Sequence, residues 1–268
     1  MKNEFTALMP VYGKECPVRL ERALSSVFAS SVIPTEVLVV CDGPLGNNLE
    51  RVLEHFSDYG QLRIERINTP VGLIRALNHG IEKATYELIA RCDSDDINAK
   101  NRFENNIRLI NQGFEVAGGQ IVEVDENLNR LPIKRVPVRQ VDIVDYMSHR
   151  NPFNHMTVMF KASVVKEVGG YPEIFAKEDY ALWMKLAAKK IRMANSPDIL
   201  VKAFTGSTFY KRRGNLRAVK SEIELFRLSY RLGIWWKVKI ILSFLVRVFV
   251  LSLPSPLLRN VYRLVLRK

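Results

Sequence analysis

Two groups of carboxylates in this chain have spacings that suit chemistry. Asp93, Asp95 and Asp96 fall within four residues just after the apolar run 87–92, and Asp42 follows a second such run, 36–41. If both runs are strands of one parallel sheet, these acids share its carboxyl edge, where open α/β folds bind ligands. Carboxylates brought together repel unless a cation lies among them, and hard oxygen ligands suit Mg²⁺ or Mn²⁺. As purely structural residues they would form a turn, Asp42-Gly43-Pro44, and a helix N-cap ahead of 99–110. Three acids in four residues at a strand end exceed what one cap needs. A second pair, Glu178-Asp179, opens the helical stretch 178–188. A first helical turn favours acids in any case, but a carboxylate apart from the cation is also what takes a proton from an attacking hydroxyl. Glycine cradles of the GxGxxG and P-loop types are missing, with Gly43, Gly72 and Gly80 standing singly. Phosphates of a bound nucleotide would then need metal and basic side chains, for which Arg75 and the pair Arg212-Arg213 are available.

The segments that must position these acids alternate in period. Residues 5–11, 36–41, 62–67 and 87–92 read as strands, and 18–28, 49–56 and 72–84 as helices. That alternation predicts an α/β fold with a parallel, doubly wound sheet. Further on, 102–111, 141–147 and 162–168 read as helices and 115–124 and 156–160 as strands, with a polar turn at 125–131. Gly169-Gly170-Tyr171-Pro172 makes a firm break before 178–188.

Composition bounds the rest. The 268 residues are 47% hydrophobic and 25% charged, which suits one large globular domain and excludes disorder. Cys16, Cys41 and Cys92 are too few and scattered for a disulfide framework or zinc site, so a reducing compartment is expected. Residues 1–5 carry no apolar signal segment, so the expected location is the cytosolic side. Charge is uneven. Lys and Arg against Asp and Glu number 25 and 26 over residues 1–200, 6 and 2 over 201–224, and 9 and 0 over 225–268. Trp235, Trp236 and the 14-residue run 240–253, charged only at Arg247, accompany that basic tail, which argues for a membrane surface and against nucleic acid. The run is short of the roughly 20 residues that span a bilayer, so an interfacial segment is expected. Arg259, Arg263 and Arg267 line one face of a last helix, 257–268, suited to anionic lipid. Leu216, Val219, Ile223, Phe226 and Tyr230 form a helical stripe expected to pack on the body.

Pro10-Val11-Tyr12, Val40-Cys41-Asp42-Gly43, Gly72 to Gly80 with Asn78, and Asp93-Ser94-Asp95-Asp96 resemble, in that order, the family 2 glycosyltransferases. His155 in Asn154-His155-Met156, Gly169-Gly170-Tyr171 and Glu178-Asp179-Tyr180-Ala181-Leu182-Trp183 continue the likeness, which covers about residues 5–200. The pattern is most similar to bacterial enzymes that build O-antigen, capsule or exopolysaccharide repeat units. The resemblance implies a GT-A fold, a nucleotide-sugar donor, Mn²⁺ or Mg²⁺, and inversion at the anomeric carbon. By the same resemblance, Pro10, Val11 and Tyr12 border the nucleobase, Asp42 accepts a hydrogen bond from uracil and Arg75 lies near the diphosphate. Asp93 holds the ribose or metal side of the donor, Asp95 is the principal metal ligand, and Asp96 stands behind them. Asp179 is the implied base with Glu178 supporting it, while His155, Arg212 and Arg213 are candidates for acceptor or phosphate contacts.

The Gln-x-x-Arg-Trp motif of processive members is missing, so one sugar per encounter is expected. The catalytic domain is expected over 1–214, with donor binding in 1–98 and acceptor binding in 99–214, and a helical membrane-associating region over 215–268. The activity implied is transfer of galactose, glucose or N-acetylglucosamine from a UDP-sugar to a polyprenyl-diphosphate-linked saccharide. Its implied place is the cytoplasmic face of the bacterial inner membrane. A sugar nucleotidyltransferase would favour a Gly-rich loop where this chain has Pro-Val-Tyr-Gly. A non-catalytic membrane-associated binding protein would have no need of intact acids at Asp42, Asp93, Asp95 and Asp179.

Overall fold

The first two strands, β1 (Phe5–Tyr12) and β2 (Glu36–Asp42), are buried along almost their full lengths, as strands covered on both faces must be. They belong to a computed structural model that describes residues 4–204, 216–233, 241 and 244–246. Arg212, Arg213 and most of the basic tail lie outside the described residues.

Between these strands α1 (Pro17–Phe28) starts on Pro17, whose fixed φ suits a first turn, and buries Leu20, Ala23, Leu24 and Val27. The chain continues through α2 (Asn47–His55), β3 (Leu62–Ile67), α3 (Leu73–Lys83) and β4 (Leu88–Arg91). After that come β5 (Ile97–Asn98), α4 (Arg102–Asn111), β6 (Val116–Val124), β7 (Arg130–Lys134) and α5 (Gln140–Tyr146). A 3-10 turn (His155–Thr157), β8 (Met159–Lys161), α6 (Ala162–Glu167), α7 (Glu178–Ala188), β9 (Met193–Phe204) and α8 (Leu216–Arg231) complete it.

One sheet runs β3-β2-β1-β4-β8-β6-β9-β5, with β7 paired to β6. The first four strands are parallel and so are β6 and β9, while β8 joins β4 and β6 antiparallel. Alternate residues of β1 feed two cores. Leu8 packs with α3, α6 and α7 around Trp183, and Ala7 and Met9 pack with α1, α2 and Phe103 of α4.

The order β2-β1-β4 makes the gap between β1 and β4 the switch point, where a crevice opens at the carboxyl ends. Pro10 stands in β1 without cost for the same reason. The Cys92 N–H donates to the Leu8 carbonyl (2.8 Å), so even-numbered residues of β1 turn their backbones toward β4. Pairing with β4 ends in register at Leu8 and Arg91, so the N–H that Pro10 lacks has no strand partner to lose.

The helix expected over 102–111 is α4, with Asn101 as its N-cap, so the Asp93–Asp96 acids are not its cap. Two expectations are revised. The strand expected at 156–160 is shortened by the 3-10 turn. β7 and β9 were not anticipated, because the polar turn at 125–131 runs into Pro132 and because Asn195-Ser196-Pro197-Asp198 reads as a turn. β9 accommodates it by slipping register against β6 between Gly118 and Ile121.

Candidate active site

At the ends of β1 and β2, Tyr12 and Asp42 face each other in register. Pro10 and Val11 are buried, whereas the Tyr12 ring is 39% exposed and borders the crevice. Asp42 is held from below. Its two carboxylate oxygens accept the backbone N–H groups of Val71 (2.6 Å) and Gly72 (2.9 Å), which fixes the loop leading into α3. Arg75, one turn into that helix, is solvent-exposed and paired with Glu173 (2.7 Å). An exposed pair of this kind is readily exchanged for another anion.

At the end of β4, Asp93, Asp95 and Asp96 each offer an oxygen, and these atoms all lie within 4.8 Å of one another. Burial, reinforced by the Asp93 charge, pushes Asp95 up to about 6. Burial and both neighbours hold Asp96 well above the carboxylate range. Asp96 also accepts the Phe204 N–H (2.9 Å), so it serves the wall of the site as well as the cluster. The strain is mutual repulsion in a partly dry place, which a cation removes. Three hard oxygen donors fit a divalent metal such as Mn²⁺ or Mg²⁺, with Asp93 and Asp95 the less buried of the three. Glu15, from the loop after β1, joins them. Burial and then the Asp95 charge push it up to about 7, while the Ser94 hydroxyl donates to it.

The second acidic pair begins α7. Asp179 accepts from the Asn151 amide (2.6 Å) and from the Tyr180 N–H (2.7 Å), leaving a carboxylate oriented from two sides. Burial followed by the Asp179 charge pushes Glu178 up to about 7. Between the two acidic groups lies Arg91, 3% exposed, with its guanidinium paired to Asp93. Burial opposes its charge, and Asp93 more than restores it. Arg91 also acts on Glu178 through its field, so one interior cation serves both groups. Arg91, Glu15 and Asn151 are the site residues that sequence reasoning missed. Arg91 leaves a trace in the sequence as the one charge between Leu88 and Cys92, whereas Glu15 leaves none.

His155 is placed differently from the expected acceptor or phosphate contact. It is turned into the interior, with Nε2 2.8 Å from the Tyr171 hydroxyl and its ring against Trp183. Burial, then the Arg91 charge, hold it well below the usual histidine range, so it is a neutral partner of Tyr171 rather than a phosphate ligand. Tyr171 is in turn fixed by Asn78, which accepts its N–H (2.8 Å) and donates to its carbonyl (3.0 Å).

A crevice at the switch point thus has an edge made by exposed Tyr12 beside Asp42, an acid cluster fit for a hard cation, and a separate oriented carboxylate. Comparison with known proteins agrees with this arrangement. The amylovoran biosynthesis glycosyltransferase AmsE of Erwinia amylovora is 33% identical, over 96% of this chain and 97% of its own. The UDP-Gal:alpha-D-GlcNAc-diphosphoundecaprenol beta-1,3-galactosyltransferase of Escherichia coli is 33% identical, over 99% and 97%. Among solved structures, S. aureus TarS 1-349 in complex with UDP-GlcNAc shares the fold, with a TM-score of 0.71 at 17% identity over 96% of this chain and 79% of that one. The profile of glycosyl transferase family 2 matches residues 6–168, and the chain belongs to that family.

Proposed function

We propose that this protein moves one sugar, with inversion, from a UDP-sugar to a saccharide carried on a polyprenyl diphosphate during bacterial surface polysaccharide synthesis. The observation that carries this reading is the pairing of two separate acidic sites across one crevice, Asp93 and Asp95 on one side and Asp179 on the other. The Escherichia coli relative's activity on UDP-galactose and a lipid-linked N-acetylglucosamine supports the substrate class and makes galactose the first donor to test. Donor binding is assigned to residues 1–98 and acceptor binding to 99–214, with 215–268 carrying the chain to the cytoplasmic face of the membrane.

In this mechanism Tyr12 and Asp42 receive the uracil, and Arg75 leaves Glu173 for the diphosphate. Asp93 and Asp95 would hold a divalent cation, which would supply charge stabilisation to the departing nucleoside diphosphate. Asp179 takes the acceptor hydroxyl proton as that oxygen attacks the anomeric carbon on the face opposite the leaving group. The new C–O bond forms as the bond to the diphosphate oxygen breaks, which inverts the centre. Asn151 holds Asp179 in place, and Glu178 stands beside it as the supporting acid.

Calorimetry of UDP binding with and without Mn²⁺ tests the donor half, and metal-dependent binding is expected. UDP release from a panel of UDP-sugars, with a short-chain alkyl-diphosphate N-acetylglucosamine as acceptor, tests the transfer. No UDP release with any donor overturns the reading.

A further inference from the structure

The three residues that precede the Glu178-Asp179 pair are gripped by a helix far away in the chain. The Phe175 ring lies under the Arg217 guanidinium of α8, 3.9 Å from its centroid. Lys177 Nζ pairs with Glu222 of α8 at 2.6 Å, and the Glu222 side chain is only 1% exposed. Between them Ala176 adopts φ +54, a left-handed conformation that a residue with a Cβ holds only when its surroundings impose it. Lys177 is also the N-cap of α7, and its carbonyl accepts the Ala181 N–H (2.8 Å) that begins the helix. Where Lys177 sits therefore decides the direction in which Glu178 and Asp179 leave the first turn.

We infer that α8 is part of the catalytic apparatus, with Glu222 a positioning residue that acts through Lys177 to aim the Asp179 carboxylate at the acceptor. The inference rests on the reading of Asp179 as the base. An apolar helix would be enough to cover the core, and Leu225 already serves that purpose on α8. An ion pair with one buried partner gives little net stability over an apolar pair of the same size, so stability alone does not account for Lys177 and Glu222. The loop is also tied down at Tyr171, which Asn78 holds by two hydrogen bonds. Lys177 is the last of these ties before the base, and Asn151 holds Asp179 from its other flank. A misplacement of about 1 Å at a reacting group costs on the order of 10²-fold in rate, so loosening Lys177 is expected to reach the chemistry.

The test is Glu222→Gln, compared with Asp179→Asn and with both together, in the full chain. UDP release from UDP-galactose is followed with the alkyl-diphosphate acceptor, and UDP affinity is measured by calorimetry. Glu222→Gln is expected to lower kcat roughly 10- to 100-fold with donor KM and UDP affinity within about twofold. On the Asp179→Asn background it is expected to add less than about twofold, because a residue acting through the base has nothing left to act on. If Glu222→Gln fails to fold, the apolar pair Lys177→Met with Glu222→Leu fills the same space and is measured instead, with the same kcat loss expected. A folded variant with unchanged kcat overturns the inference, as does a full additional loss on the Asp179→Asn background. If Asp179→Asn alone leaves turnover intact, the base reading has failed, which is a different outcome from Glu222 failing beside a dead Asp179→Asn.

Discussion

Glu178 and Asp179 are neighbours in the chain but stand in different surroundings, and the difference assigns them different tests. Asp179 is oriented by Asn151 and the Tyr180 N–H, so Asp179→Asn should leave UDP binding unchanged while kcat falls roughly 10²- to 10⁴-fold, the usual contribution of a general base. An equal loss of UDP affinity would put Asp179 in the donor site. Glu178 titrates near 7 in the fold against 4.5 in the open chain, because burial and Asp179 resist its charge. The folded state therefore binds the extra proton between those values, and stability falls as pH rises through that window. Glu178→Gln removes the charge that causes the fall. The variant should melt higher than the wild type at pH 8, by roughly 1–3 kcal/mol of stability, and the gap should close by pH 4.5. Thermal melts at the two pH values check the sign. Asp95 calls for a third substitution. Asp95→Ala should abolish turnover and the metal dependence of UDP binding, yet leave the melting temperature at neutral pH equal or higher, since it removes one of three repelling acids.

At the scale of elements, Gly170 shows how a short motif becomes geometry. Its φ is +69, and a Cβ there would lie 2.5 Å from the Asn78 Oδ1 that accepts the Tyr171 N–H. Gly170→Ala should cost roughly 1–3 kcal/mol, read as a lower urea midpoint with an unchanged slope. The same contact explains why Asn78 and Gly169-Gly170-Tyr171, 91 positions apart at their nearest, stood out separately in the sequence without showing that they meet. The strands β2 and β4 and the acids at their ends were legible because apolar runs closed by Asp are strong local signals, and β1 and β3 followed from the helices alternating with them. β6 and α5 were legible from local pattern too, whereas β7 was missed and β8 came out shorter, and the order of all these strands in the sheet depends on long-range pairing. β9 was missed because the polar stretch around Pro197 suggests a turn, and only the partner strand, with its slipped register, makes it a strand. Arg91 escaped for a related reason. A lone arginine among apolar residues looks like an edge position until the fold buries it between Asp93 and the start of α7.

For the whole molecule, the tail raises a separate question from the chemistry. Among the described residues no helix is long and apolar enough to cross a membrane. Ile241, Leu245 and Val246 nevertheless stand more than half exposed, beyond a neutral catalytic body and within a stretch, 225–268, that holds 9 basic residues and no acid. Exposed apolar side chains among unopposed cations suit an anionic bilayer surface, where each basic group contributes about 1 kcal/mol. Only some of them can face lipid at once, and salt screens each contribution, whereas the apolar part is insensitive to salt. High salt should therefore release the full chain from membranes only in part, and detergent should release it fully. Deleting residues 235–268 keeps α8 with Arg217 and Glu222, so the grip on the loop before Asp179 survives. The truncated protein should stay soluble through ultracentrifugation with vesicles of anionic lipid, bind UDP as before, and turn over a short-chain acceptor at the full rate. Its rate on a long polyprenyl acceptor embedded in bilayers should fall, because the acceptor and the crevice no longer share a surface. A truncated protein that still pellets with the vesicles, or that unfolds, would mean that the tail belongs to the packed body and not to the membrane.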